Sequence, residues 1–444
     1  MHGAPTARDT IVALSSGQLP SGIAVVRLSG PMVQAAVVLL AGSVPAPRIA
    51  RFGTLRLPDG SPLDTGLVLF FPAPHSFTGE DSAEFHVHGG RAVVDALLRS
   101  ICGLKGCRLA QAGEFSRRAF ESGKMDLLSA EATADLVTAE TEAQRRFAAQ
   151  NGNGGHAALY ADWRMQLIQA RALIEAELDF SDESDIPGSV SDMVWEDVAA
   201  LRDGIEAHIA GYGKAEVLRD GFDVVLLGAP NAGKSSLLNT LARRDVAIVT
   251  PEPGTTRDLI EIVLDIDGLK VRVTDTAGIR ETDGLVERLG IERAFARAQA
   301  AGLVLILEDM TKPLPVKADE LKQRVLKVGT KLDLLANCRE ALGYDFAISC
   351  VSGQGLQDLI DCIAARAQTD IPRLGELVPW RLRHVELLRL GAGHLSAALK
   401  NGNIGLELRS EELRLAANAL GRISGAVDVE DLLDVIFGQF CIGK

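Results

Sequence analysis

Gly228, Gly233, Lys234 and Ser235 stand at the spacing G-x-x-x-x-G-K-S, directly after the apolar run Val224, Val225, Leu226 and Leu227. That order predicts a buried strand, a tight turn and a helix. Two glycines permit backbone angles that a side chain resists. The turn can then aim successive N–H groups at phosphate oxygens, and the helix adds its positive N-terminal end. Lys234 brings a point charge to the outer phosphates, and the Ser235 hydroxyl suits Mg²⁺. A nucleoside triphosphate site near residue 230 follows.

Further motifs lie at GTPase spacing. Asp275-Thr276-Ala277-Gly278 ends a predicted strand. Asp275 can hold Mg²⁺ through water, and the Gly278 amide can touch a γ-phosphate. Between the two motifs lies Gly254-Thr255-Thr256-Arg257-Asp258, with Thr256 placed to complete the metal shell. Thr330-Lys331-Leu332-Asp333 follows another predicted strand. A carboxylate there accepts both N1–H and the exocyclic amine of guanine, a donor pair that adenine lacks on that edge. Thr330 stands where GTPases usually carry asparagine. Asn231, inside the cradle, can face a monovalent cation. No glutamine follows Gly278 to orient water. Glu287 is a candidate instead, and a first-turn carboxylate stabilising a helix dipole reads equally well there.

These residues need elements to hold them. Residues 219–375 alternate strands and helices, with Asp267-Gly268 as a two-residue hairpin signal, and predict a doubly wound sheet with one antiparallel edge hairpin. Residues 1–122 read as α+β. Strands are expected at Gly22–Ser29, Leu63–Phe71 and Glu84–His88, the last placing Glu84, His86 and His88 on one face. That face reads as the solvent side of a half-buried strand rather than a metal site. Residues 123–218 and 376–444 are rich in Ala and Leu at helical spacing. They read as one helical domain split by the inserted nucleotide-binding domain.

The chain has 444 residues, net charge −13 and six scattered cysteines without a C-x-x-C pair. The charge argues against a general nucleic-acid coat, and the cysteine usage suits a reducing compartment. No signal peptide and no membrane span is read, and a cytoplasmic protein is expected.

Several stretches resemble the tRNA modification GTPases of the MnmE (TrmE) family: PNAGKSSLLN (230–239), GTTRD (254–258), DTAGIR (275–280), TGED-x-x-EF (78–85), GEFS-x-RAF (113–120) and the terminal Phe440-Cys441-Ile442-Gly443-Lys444. The last three have no reason to occur in a generic GTPase. The resemblance implies an N-terminal folate-binding and dimerising domain, a discontinuous helical domain and an inserted Ras-like P-loop GTPase domain. It implies GTP hydrolysis coupled to modification of carbon 5 of the wobble uridine of certain tRNAs. The partners implied are an FAD-containing protein of the MnmG (GidA) family and a second copy of the chain. The cofactors implied are Mg²⁺, K⁺ and 5-formyltetrahydrofolate or a related tetrahydrofolate.

Carried over residue by residue, the GTP set is Asn231, Ala232, Gly233, Lys234, Ser235, Ser236, Thr250, Thr255, Thr256, Asp275, Thr276, Ala277, Gly278, Thr330, Lys331, Asp333, Ser349 and Cys350. Mg²⁺ falls to Ser235 and Thr256. K⁺ falls to Asn231, Thr250, Glu252 and Thr255, in a loop that Pro251 and Pro253 stiffen. Glu287 falls where the family's water-orienting acid lies, and Cys441 lies near the folate site. The folate set is Arg27, Glu84, Lys124 and Lys444, carboxylate and cations suiting the pterin edge and the glutamate tail.

Two other functions compete. One is a regulatory or ribosome-assembly switch, which needs neither folate residues nor a terminal cysteine. The other is a folate-binding structural subunit with a decaying GTPase domain, against which the intact cradle argues. The tail also formally fits C-a-a-X prenylation, but a final lysine and the lack of a preceding basic run count against it. Arg117-Arg118, Arg145-Arg146 and Arg381–Arg383 are candidate tRNA contacts or solvated helix faces.

Overall fold

The computed structural model describes residues 9–179, 190–243, 260–275, 296–314, 324–335, 343–373, 375–400, 405–427, 430–438, 440 and 443. They fall into two compact units, residues 1–134 with 421–444, and residues 135–420.

In the first unit, β1 (Thr10–Leu14), β2 (Ser21–Ser29), β3 (Arg51–Arg56), β4 (Pro62–Phe71), β5 (Ser82–Gly89) and β6 (Cys107–Leu109) form a sheet in the order β3-β4-β5-β2-β1-β6. Only the β1–β6 contact is parallel. Helices α1 (Val33–Ala41) and α2 (Arg91–Cys102) join Val26, Leu28, Val68 and Phe85 of the strands in one core. The alternation of β5 decides its faces: Phe85 and Val87 are buried, while Glu84 and His86 are half-buried. Register then sets Glu84 opposite Arg27 on β2. Helix α3 (Glu114–Glu121) follows, then α4 (Leu127–Thr138).

Within the helix-rich stretch that begins at residue 123, the chain breaks after α4. Helix α5 (Glu142–Asn151) starts at Thr141, whose Oγ1 accepts from the Gln144 N–H while the Gln144 side chain accepts from the Thr141 N–H. This capping box satisfies donors that every helix start leaves open. The glycine-rich stretch 151–155 ends α5 and opens α6 (Gly155–Asp179), followed by α7 (Val190–Ala210) and α8 (Tyr212–Asp220).

The second sheet holds β7 (Phe222–Gly228), β8 (Ile260–Ile266), β9 (Leu269–Asp275), β10 (Leu303–Asp309), β11 (Val325–Thr330) and β12 (Phe346–Ala347) in the order β12-β11-β10-β7-β9-β8. All neighbours are parallel except the β8–β9 edge hairpin. Its turn, Asp267 and Gly268, has φ of 53° and 80°. Two successive left-handed residues are what a type I′ turn demands. Helices α9 (Lys234–Ala242) and α10 (Leu356–Thr369) pack on this sheet.

Helix α11 (Leu382–Leu399) lies against α7, which also meets α6. Pieces from both sides of the inserted sheet therefore share one helical frame. The segment between α10 and α11 passes through it. Trp380 is fully buried, its ring edge-on to His156 (4.6 Å) and His384 (4.5 Å), and His156 Nε2 bonds the Val378 carbonyl at 2.9 Å.

After α12 (Leu406–Ser424), the last helix α13 (Glu430–Gly438) groups with the first unit rather than with the helical frame. Its apolar residues Leu433, Ile436 and Phe437 meet Leu127, Ala130 and Phe120.

Candidate functional site

The cradle follows β7. Gly228 has φ of +156°, and a Cβ there would lie 2.4 Å from the Leu307 carbonyl oxygen. Asn231 (φ 65°) and Gly233 (φ 95°) are also left-handed, and Gly233 opens α9. Three such residues within six positions coil the loop around its own N–H groups. Buried Lys234 donates to the carbonyls of Gly228 (2.6 Å) and Ala229 (3.0 Å). Burial pushes its ammonium pKa down, and Asp275 pulls the other way. Ser235 Oγ donates to Asp275 Oδ2 at 2.9 Å, joining α9 to the end of β9. Two hard oxygens side by side beneath the cradle fit a divalent cation with oxygen preference.

On the far side of β10 lies the base end. Thr330 Oγ1 donates to the Ala232 carbonyl (2.8 Å) and lies 3.2 Å from the Glu308 carbonyl. The threonine in the asparagine position thus ties β11 to the cradle directly. Ser349 Oγ donates to Asp333 Oδ1 and accepts from the N–H groups of Val351 and Ser352. This fixes the carboxylate expected to meet the base. Lys331, left-handed at φ 63°, pairs with Asp309. Burial opposes the Asp309 carboxylate, but hydrogen bonds from Lys331 and Thr311 outweigh it and hold its pKa at about 2. Burial pushes the Cys350 thiol up. Asp309 was not read from the sequence, and its place opposite Thr330 in the β10–β11 register is a tertiary fact.

A second cavity, of about 340 Å³, opens in the first unit and is lined by Arg27, Arg48, Phe71, His75, Phe77, Thr78 and Glu84 among others. Arg27 donates twice to Glu84 Oε1, at 3.0 and 2.9 Å, and its guanidinium lies 5.7 Å from the Phe77 ring. His86 Nε2 is 3.2 Å from Glu84 Oε2. The Lys124 side chain packs on the Gly79 turn, its Cε 3.3 Å from where a Gly79 Cβ would be. Arg27 and Glu84 therefore share one cavity, and Lys124 lies at the neighbouring Gly79 turn rather than in its lining. Phe77, Arg48 and His75 were missed, since nothing in their spacing marks them.

The stretches 78–81 and 113–120 explain each other. Arg118 donates to Glu80, Glu114 and the Asp9 carbonyl, and Arg108 donates to both Glu114 oxygens. Ser29 bridges Thr78 and Glu80 at 2.6 Å each. Gly113 (φ 65°) lets the Phe437 carbonyl approach to 2.4 Å of its absent Cβ. At the tail, the Gly443 carbonyl accepts from Ser15 Oγ at 3.0 Å. Of the candidate tRNA contacts, Arg118 is buried in this network, Arg117 pairs with Glu121 and Asp434, Arg145 and Arg146 share Glu142, and Arg381 pairs with Asp135. Thr250, Glu252, Thr255, Thr256, Thr276, Ala277, Gly278, Glu287, Cys441 and Lys444 lie outside the described residues.

Known proteins share this arrangement. Residues 10–124 match the N-terminal domain of the GTP-binding protein TrmE, and residues 127–441 match the MnmE helical domain. The tRNA modification GTPase MnmE of Mesorhizobium japonicum is 59% identical over 439 residues, covering 98% of this chain and 99% of the relative. The chain belongs to the MnmE family of tRNA modification GTPases. The MnmE protein of Brucella anthropi is 56% identical over 437 residues, covering 98% of each chain. Among solved structures, the G domain of the T. maritima FeoB iron transporter is 27% identical, covering 33% of this chain and 99% of that one at a TM-score of 0.26. Membership in the MnmE family brings GTP binding, GTP hydrolysis and a role in tRNA modification. Among the described residues, no helix is long and apolar enough to cross a membrane.

Proposed function

We propose that this chain works in the cytoplasm as a homodimer with an FAD-containing protein of the MnmG family. Together they modify carbon 5 of the wobble uridine of certain tRNAs, drawing a one-carbon unit from a tetrahydrofolate. The observation that carries this reading is the Arg27–Glu84 pair facing a cavity walled by Phe71 and Phe77. A carboxylate held by a guanidinium and set beside aromatic rings fits the donor edge and flat face of a pterin. The folate, when bound, supplies the carbon at the oxidation level of its one-carbon group. Glu84 accepts from the pterin edge, Arg27 fixes Glu84, and Lys124 meets the glutamate tail. Lys444 and Cys441 complete the site from the tail.

In the nucleotide site, the backbone of Asn231, Ala232, Gly233 and Lys234 holds phosphate oxygens, with Ser235 and Ser236 at the helix start. Asp333, oriented by Ser349, takes the guanine edge, and Thr330 keeps that end registered with the cradle. Ser235 and Thr256 hold Mg²⁺, which neutralises phosphate charge when bound. Asn231, exposed on the lip of the cradle, offers one oxygen to K⁺, and Thr250, Glu252 and Thr255 offer the rest. Glu287 orients the attacking water.

Titration of the full-length protein with 5-formyltetrahydrofolate tests the reading. Glu84→Ala is expected to weaken binding about tenfold or more, the size of one charge-assisted bond. Equal affinity in both proteins sinks it. GTP hydrolysis in potassium against sodium at matched ionic strength tests the cation, and equal rates remove K⁺ from the scheme.

A further inference from the structure

The β8–β9 hairpin spans two places that matter. At one end, Ile260 pairs with Asp275, the carboxylate bonded to Ser235. At the other end is the Asp267-Gly268 turn. Seven residue pairs join the strands without a bulge, from Ile260↔Asp275 to Ile266↔Leu269. Such a ribbon runs about 20 Å and moves as one piece. β9 is anchored to β7, but β8 is the outer strand of the sheet among the described residues. The hairpin therefore has a strand neighbour on one side only, while Leu264 and Ile266 pack into the core and Glu261 pairs with Arg297.

Its turn docks on α5. The Ala143 N–H donates to the Gly268 carbonyl at 3.0 Å. Ala143 is the second residue of α5, so its N–H has no acceptor within the helix. The capping box closes the Gln144 N–H, and the nucleotide-binding sheet itself closes the one before it. Beside this bond, Lys270 Nζ on β9 lies 2.6 Å from Glu140 Oε2, both side chains mostly buried. Ala143 also packs against the core of the sheet. Gln144 Nε2 then donates to the Arg219 carbonyl of α8 at 2.8 Å, carrying the contact into the helical frame.

We infer that the hairpin reports the state of the nucleotide site to the helical frame, by capping α5 in one state and loosening the cap in the other. Glu140 and Lys270 act as positioning residues that keep the turn seated on Ala143. A shift of Asp275 with the cation and γ-phosphate tilts the ribbon, and the turn moves against α5. The inference rests on Ser235 and Asp275 being the cation end of the site.

Hydrogen exchange on the full chain tests it, with GDP and with a non-hydrolysable GTP analogue. Amides of residues 139–147 are expected to differ between the two states by about threefold or more in rate, as a local opening would produce. Lys270→Glu removes that difference while the KM for GTP stays within about twofold, and Glu140→Lys added to it restores the difference through the reversed pair. Exchange at 139–147 that is equal in both states overturns the inference. So does a difference that survives Lys270→Glu, or one that the reversed pair fails to restore. Amides of residues 228–240 read the other assumption. If nucleotide protects them while 139–147 stays constant, the site reading stands and the hairpin inference falls. If nucleotide leaves them unchanged, both fall.

Discussion

The nucleotide cradle and the Arg27–Glu84 pocket are built from different materials. The cradle is backbone. Its shape comes from three left-handed residues within six positions and from carbonyls that hold Lys234. The pocket is side chain. Arg27, Phe71, Phe77 and Glu84 come from different strands and a loop, joined by sheet register and by the contacts of Arg27 with Glu84 and Phe77. A backbone site is written in consecutive residues and depends on few side chains, here Lys234 and Ser235 beside the glycines. A side-chain site is spread through the sequence and depends on every partner that orients it.

That difference can be broken by mutation. The largest effect is expected from Arg118→Met, which removes a buried guanidinium and leaves Glu80 to Ser29 and Glu114 to Arg108 and the Gln111 N–H alone. Breaking a buried pair costs about 3–5 kcal/mol. Denaturant unfolding should show the loss, and GTP affinity should stay unchanged.

Acid separates the units next. Burial, opposed by the bond to Val378, lowers the His156 pKa from 6.5 to about 4, and burial likewise takes His208 to about 4. A histidine depressed in this way stabilises the fold fully above pH 6.5 and loses that contribution as pH falls towards 4. For His156 the contribution is on the order of 3 kcal/mol. Glu114 behaves differently. Burial pushes its pKa up, but Arg108, the Gln111 N–H and Arg118 outweigh it and hold the carboxyl below its ordinary 4.5. Its contribution is present above pH 4.5 and goes only below it. Exchange protection in the helical frame should therefore fall at a higher pH than protection around Glu114. Simultaneous loss would erase the distinction.

Gly228→Ala should weaken GTP binding about a hundredfold, because a left-handed residue gains a Cβ against a carbonyl. Folate binding should be untouched, and a nucleotide titration beside a folate titration checks both. The smallest effect belongs to Arg117→Ala. Its partner Asp434 is 81% exposed, and such pairs contribute below about 1 kcal/mol. A thermal shift larger than a few degrees would mean that Arg117 does more than bridge two helices.

The same contrast governs what could be read in advance. The cradle and the Asp267-Gly268 hairpin were legible because each is a local pattern with a backbone reason. The alternation of β5 gave the faces of Glu84 and Phe85. α1 was not read: its sequence, VQAAVVLLA, is apolar almost throughout and carries little period. β6 has three residues and pairs only with β1, from the far end of the domain, so it does not announce itself. The break before α5 was legible in principle, because Thr141 and Gln144 have capping-box spacing, but the helix-forming run around them hid it. Phe77, Arg48 and the Arg118 network could not be read without register, since no local rule brings residue 118 to residue 80.

One contact at the base of the inserted sheet has a wider meaning. Arg219, at the end of α8, donates from Nη1 to the Trp380 carbonyl at 2.7 Å, across 161 positions of sequence. The chain leaves the helical frame and comes back to it at nearly the same spot. To that frame, the whole GTP-binding module is a loop of almost no span. A module attached in this way can be gained, lost or exchanged without re-laying the helices beneath it, much as a cartridge fits a fixed socket.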